Sequence, residues 1–310
     1  MTDKHQSNDD IQSISVKLQS ITTADANLSS QDSTRTNQTM PKVNNTTPVS
    51  NLEERTVSAV EESAMIKPGL NVPEKIVLVI DTVKEHDCTK FKLGTGAKYP
   101  PLFMIKRVVE IFVGTKSTIH RKHEFALMTL DSQSVHWLCD FTNNTKTLLN
   151  HLDSVEEDVL DEEHKECDLG GVFECIYERT GLLQIPNNNS AVPKFVLRVI
   201  LIYSRSHCMP VITSGQKELI ELLEHPYCFL DTLFVHEPPS PENKCEKIYA
   251  KLGEFDVKNR SYILEAGRNA TKLHDNMAKL MAHPLQRPVQ GDASYTIFAN
   301  VPSQEVHTNV

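Results

Sequence analysis

Asp81 closes the apolar run Ile76-Val77-Leu78-Val79-Ile80 and opens a polar turn that runs through Val83 and Glu85 to Asp87. A carboxylate at the end of a buried strand lies where open α/β sheets gather their ligands, and its hard oxygens would suit Mg²⁺. His120 and His123 are the next candidates. They stand three apart, flanked by Arg121 and Lys122. A zinc isopeptidase needs an H-x-H pair with an added carboxylate, and a cationic helix end is a poor place for zinc, so both histidines read as solvated surface. Seven cysteines, at 88, 139, 167, 175, 208, 228 and 245, are odd in number and form no C-x-x-C pair. This usage fits reduced thiols of the cytosol or nucleus. Cys139 and Cys228 fall inside apolar strands, where buried, unreactive thiols are expected; a cysteine hydrolase would need a histidine remote in the chain.

Other catalytic signatures are missing: the chain contains no G-x-S-x-G, no G-x-x-x-x-G-K-[ST] and no G-x-G-x-x-G. The glycine-bearing stretch 92–98 reads as a flexible surface loop. Residues 153–168 carry nine Asp or Glu against one Lys, which reads as a long solvated loop or, second, as an attractor for a basic partner. The whole chain has 310 residues and a formal net charge of -9. Without a basic stripe, nucleic acid is not an expected partner. Neither a run of about 18 apolar residues nor a charged-then-apolar opening is present, so no membrane span or signal peptide is expected.

These residues must be positioned by the elements around them. Residues 1–72 are rich in Ser, Thr, Asn, Gln and Asp, and the first aromatic of the chain is Phe91. Such a composition buries too little to offset ordering entropy, so a disordered N-terminal tail is expected, with helical spacing only at Ile11, Ile14, Leu18 and Ile21. A domain follows over 73–282. Strands are predicted at 75–81, 124–130, 135–141, 194–203, 227–237 and 261–267, and helices at 100–119, 144–153, 169–181, 242–252 and 270–280. Another helix follows Thr213 and Gln216, which match a capping box. The four residues between 130 and 135 force an antiparallel hairpin. Alternation of this kind implies an α/β fold: a doubly wound, mostly parallel sheet with one antiparallel edge strand and strand 194–203 near its centre.

This order of elements resembles the von Willebrand A domain. In that family an aspartate is followed at two and four residues by serines, with a threonine and a second aspartate from later loops. Here Val83 and Glu85 hold the two serine positions, Cys167 or Asp168 stands near the threonine, and Ser204-Arg205 stand where an acidic ligand belongs. A guanidinium there opposes a cation. The expected outcome is a degenerate site at Asp81, Val83 and Glu85 with no metal and no cofactor, Asp81 bonding loop amides instead. A metal-dependent ligand-binding A domain is the alternative.

Residues 283–310 form the last segment, an extended C-terminal tail. It has no helical period, yet it carries Leu285, Tyr295, Ile297 and Phe298, and apolar groups left in water cost about 25 cal/mol per Å². From physics alone, folding back on its own domain and docking into a partner are equally good solutions. The stretches "MAKLMAHPLQRPVQGDASYTIF", "HEFALMTL", "RVILIYSRSHCMP" and "HPYCFLDTLFVHE" resemble the von Willebrand A-like scaffold subunits of the BRISC and BRCA-A deubiquitinase assemblies, over about 74–298. The resemblance implies a non-catalytic scaffold that binds the ubiquitin-E2-variant subunit. Through it the chain would join a JAMM-type zinc deubiquitinase, its pseudoenzyme partner and, as a further candidate contact, ubiquitin. It assigns Pro284, Leu285, Gln286, Arg287, Pro288, Ser294 and Tyr295 to the partner-binding motif. It also implies residence in cytoplasm and nucleus, and roles in DNA-damage signalling and repair, cell division through the mitotic spindle, and cytokine-receptor deubiquitination.

Overall fold

The structure, a computed structural model, describes residues 71–86, 88–159, 164–180 and 192–293. Of the N-terminal segment expected to be disordered, 1–70 fall outside these residues, as do Ser294, Tyr295, Ile297 and Phe298; Asn71 and Val72 are described, and Val72 packs into the core.

Twelve strands are described: β1 (Glu74–Asp81), β2 (Val83–Lys84), β3 (Phe91–Lys92), β4 (Lys98–Tyr99), β5 (Glu124–Leu130), β6 (Val135–Thr142), β7 (Asp158–Val159), β8 (Glu166–Asp168), β9 (Val196–Tyr203), β10 (Met209–Val211), β11 (Cys228–Val235) and β12 (Ile263–Ala266). Six of them build the central sheet in the order β12-β11-β9-β1-β5-β6. Every neighbouring pair is parallel except β5 with the edge strand β6. The sheet centre is β9 and β1, the two most continuous apolar runs, as strands covered on both faces should be.

Helices cover both faces. One face packs α3 (Gly170–Thr180), α4 (Gln216–Glu224) and α5 (Cys245–Gly253) against Val77, Val79, Val199 and Leu201. The other packs α1 (Pro101–Ile119), α2 (Thr145–Asp153) and α6 (Ala270–Lys279) against Ile76, Leu78, Ile80, Ile200 and Ile202. Alternate residues of each strand serve opposite faces, as the pleat requires. Helix starts follow local chemistry: Pro101 sits in the first turn of α1, and the side chains of Asn144 and Asn269 accept from Thr147 N and Lys272 N to cap α2 and α6.

Several expectations are corrected. Thr213 does not cap α4. The N-cap is Gly215 at φ 61°, a left-handed position where an added Cβ would stand 2.4 Å from Gly170 O; the Thr213 hydroxyl and N–H go to Asp168 instead. Residues 92–98 are not a loose loop but the turn of a small hairpin, β3 pairing with β4. The acidic stretch is partly ordered, since β7 pairs with β2 and β8 with β10; residues 160–163 lie outside the described set. Most consequentially, the packed chain does not end at 282. It continues across the domain to a 3-10 turn at Gln290–Asp292.

The closed carboxyl end and the charged amino end

The chain leaves β1 toward α1 on one face of the sheet and β9 toward α4 on the other, and this switch between neighbouring strands marks the crevice where such sheets bind ligands. Asp81 ends β1 there, and Ser204 and Arg205 follow β9. Arg205 Nε stands 3.1 and 3.2 Å from the two carboxylate oxygens of Asp81. Ser204 N and Val83 N donate to the same group at 3.0 and 3.2 Å. The other end of the guanidinium donates to Asp131 O in the β5–β6 turn at 2.8 Å. Asp81 and Arg205 are each 1% exposed. Burial pushes the Asp81 carboxyl up, against the pull of Arg205 and the two amides. Burial also opposes the charge on Arg205, but Asp81, together with the neighbouring Cys167, Tyr203 and Cys208, outweighs it and holds the guanidinium above its ordinary range.

This donor set does not fit a divalent cation. The position two residues after Asp81 is the apolar Val83. Glu85, two further on, accepts the backbone N–H groups of Ser206 and His207 at 2.6 and 2.8 Å. Asp168 is equally occupied, accepting from Gly170 N, Thr213 N and Ser214 N, while Cys167 is buried in β8. Among the described residues no group of three or more His, Cys, Asp or Glu could hold a metal ion. A cleft of about 490 Å³ remains between the β5–β6 turn, Glu166–Asp168 and Ser214, with Arg205 part of its wall. The expectation that Asp81 bonds loop amides therefore holds, and the guanidinium between strands is an added cross-link.

A second charged cluster sits in the amino-terminal half of the sheet, on the face of α1 and α6. Glu74, Arg198 and Asp231 come from β1, β9 and β11 and are each 0% exposed. Arg198 donates through Nε to Asp231 at 2.8 Å and through a terminal nitrogen to Glu74 at 3.2 Å. Lys116 of α1 meets the other oxygen of Glu74 at 2.5 Å. Burial works against both carboxylates, yet Arg198 first, with Lys116 at Glu74 and Arg287 at Asp231, holds both below their ordinary range. The sequence carried a signal for this cluster: Arg198 and Asp231 interrupt strands otherwise buried on both faces, and a buried charge requires a partner. Their mutual pairing depends on sheet order, which one strand does not reveal.

His123 belongs to this cluster rather than to the solvated surface. It is 2% exposed, and its Nδ1 accepts from Glu74 N at 2.8 Å. Burial holds it neutral, with its pKa lowered to about 4 against the pull of Glu74. His120, its ring centroid 5.1 Å away, stays half-exposed at the end of α1. All seven cysteines are free. Burial raises the thiols of Cys228 and Cys167 to about 12 and that of Cys88 to about 11, so none of these three is poised as a thiolate.

The residues assigned to the partner-binding motif divide in two. Pro284 and Leu285 are buried, and Arg287 lies on Asp231, its nitrogens 2.5 and 2.9 Å from the two oxygens. Gln286 and Pro288 are exposed. Ser294 and Tyr295 lie beyond the described residues.

Element order and sheet order define a doubly wound α/β body of the von Willebrand A kind, its family metal position closed by an internal arginine. By sequence the chain belongs to the family of BRISC and BRCA1-A complex member 1. It is 34% identical to the Homo sapiens member over 239 residues, covering 74% of this chain and 70% of that one. To the Xenopus laevis member it is 33% identical over 236 residues, with the same coverage. No family model matches the chain. Among solved structures it is similar to the SpRpn10 VWA domain, at 13% identity and a TM-score of 0.43 over 70% of this chain and 99% of that domain.

Proposed function

We propose that this chain is a non-catalytic scaffold subunit of a deubiquitinase assembly of the BRISC and BRCA1-A kind, holding the ubiquitin-E2-variant subunit in place so that a separate JAMM-type zinc subunit can cleave signalling ubiquitin chains. The observation that carries the reading is the buried Arg205–Asp81 pair: the crevice where this class of domain does its metal-dependent binding is cross-linked by the protein's own cation. Raised thiols at Cys228, Cys167 and Cys88, and a histidine buried in a structural bond, support a body without a poised nucleophile. Work is then left to surfaces and to the C-terminal tail, in cytoplasm and nucleus alike. The test is co-purification of the other subunits with the full chain and with a chain ending at 293, which keeps the packed segment. Loss of the ubiquitin-E2-variant subunit from the shortened chain is expected. Hydrolysis of ubiquitin chains by the isolated full chain, or unchanged recovery of the subunits by the chain ending at 293, would overturn the reading.

A further inference from the structure

The loop from Pro238 to Lys244 joins β11 to α5 and divides into a fixed frame and an exposed apex. Asn243 makes the frame: its Nδ2 donates to Pro238 O at 2.8 Å, and its Oδ1 accepts from Ser240 N and Cys245 N at 3.2 and 3.4 Å. Lys244 N donates to Ser206 O at 2.8 Å, which holds the far end of the loop on the turn after β9. The apex is different. Pro238, Pro239, Ser240, Pro241 and Glu242 are all exposed. Long bonds close it: Glu242 N to Ser240 Oγ and Asn243 N to Ser240 O, both at 3.3 Å. Exposed bonds of that length are weak and exchange with water, so the apex opens at low cost.

Ser240 stands in Pro238-Pro239-Ser240-Pro241, and among the described residues it is the one serine or threonine followed by proline; Thr47-Pro48, the other such pair in the sequence, lies outside them. A proline after an acceptor hydroxyl is a chemical signal. It has no N–H, so it fits an apolar enzyme pocket in which any other residue would strand a donor. The prolines ahead of Ser240 bias the approach towards the extended polyproline II form, which an enzyme cleft binds at little entropic cost. From Val235 to Pro239 there is no Arg or Lys, so a kinase that grips basic side chains ahead of its acceptor has nothing to pair with.

We propose that Ser240 is a phosphorylation site for a proline-directed serine/threonine kinase, and that the phosphate opens the apex while the Asn243 frame and α5 stay folded. In the transfer, Ser240 Oγ bonds to the γ-phosphorus of ATP as the bond from that phosphorus to the β,γ-bridging oxygen breaks. ADP departs, and the hydroxyl proton passes to the catalytic aspartate of the kinase. The product adds a charge of about -1.5 to -2 at pH 7. Glu242 is the neighbour that meets it: hydrogen bonding from Ser240 holds its carboxyl below its ordinary range in the unmodified chain, and phosphorylation replaces that donor with a like charge. The site stands whether or not the chain joins a deubiquitinase assembly.

Incubation of the full chain with ATP and a purified mitogen-activated protein kinase, its activity verified on a standard peptide, tests the assignment, with sites mapped by tandem mass spectrometry and hydrogen exchange compared before and after. Phosphate is expected on Ser240. Pro241→Ala is expected to slow its incorporation at least tenfold while exchange across 245–253 stays unchanged. In the phosphorylated wild-type chain, exchange at Glu242 and Asn243 is expected to rise at least fivefold, again with 245–253 unchanged. Phosphate at Thr47 alone or nowhere, or equal incorporation at Ser240 in Pro241→Ala, would overturn the site. Unchanged exchange at Glu242 and Asn243 in the phosphorylated chain would overturn the opening of the apex.

Discussion

The two ends of the sheet each bury an arginine against an aspartate, and they do so to different effect. At the carboxyl end one guanidinium serves one carboxylate, and burial wins: Asp81 is pushed up, so its ionised form is less favourable in the fold than in water. At the amino end two carboxylates face Lys116, Arg198 and Arg287, and both are held down. What separates the ends is cations per carboxylate and how far the chain is gathered. Arg205 closes a crevice between neighbouring loops. Arg198 ties β1, β9 and β11 to the segment after α6 through Ala282. One end is a plug where the fold class keeps a ligand site; the other is a clamp that makes the last described residues part of the domain.

The largest effect is expected from breaking the clamp. Arg198→Met would leave Glu74 and Asp231 buried with fewer cations, at a cost of about 3–5 kcal/mol in denaturant unfolding. Adding Asp231→Asn should not restore stability, because Glu74, Lys116 and Arg287 would remain unbalanced. The plug should behave otherwise. Arg205→Ala is expected to cost about 2–4 kcal/mol by stranding Asp81. The double variant Asp81→Asn, Arg205→Met should recover to within about 1 kcal/mol of wild type, because the raised Asp81 carboxyl gains little from its charge. Equal recovery by the two double variants would erase the distinction.

The unequal legibility of the two ends has a physical cause. Periodicity finds the six sheet strands and their helices because burial on two faces or one is written in the local pattern. The degenerate crevice is legible too, since Asp81, Val83 and Glu85 are neighbours in the chain and Arg205 directly follows an obvious strand. Lys116, Arg198, Asp231 and Arg287 lie tens of residues apart, and only strand order brings them together. His123 misleads for the same reason: flanked by Arg121 and Lys122 it looks solvated, but it stands immediately before β5, bonded to Glu74 N. The two-residue ladders, such as Val83–Lys84 with Asp158–Val159, have too few residues to carry a period at all.

His123 sharpens the contrast by pH. Its folded pKa lies near 4, against about 6.5 for an unperturbed histidine. As pH falls below about 6.5 the unfolded chain takes up a proton that the fold refuses, so stability declines until about pH 4 and then levels for this group. The full effect is on the order of 3 kcal/mol. His123→Gln, whose side-chain oxygen can still accept from Glu74 N, should remove most of that slope in denaturant titrations between pH 7 and 4. His283, also lowered by burial, contributes in the same direction. Arg205→Ala should instead oppose the slope, because stranding Asp81 raises its carboxyl further and the fold then takes up a proton there as pH falls.

The smallest expected effect is none, and it tests the plug most directly. Val83→Ser with Glu85→Ser places hydroxyls two and four residues after Asp81, the spacing that cation-binding A domains use. With Arg205 still on both oxygens of Asp81, millimolar Mg²⁺ is expected to leave the melting temperature of that variant unchanged. The cation would have to displace a buried guanidinium that also holds Asp131 O, and two hydroxyls offer too little in exchange. A Mg²⁺-dependent rise in melting temperature would show that Arg205 yields its place, and that the two missing hydroxyls alone keep the crevice closed.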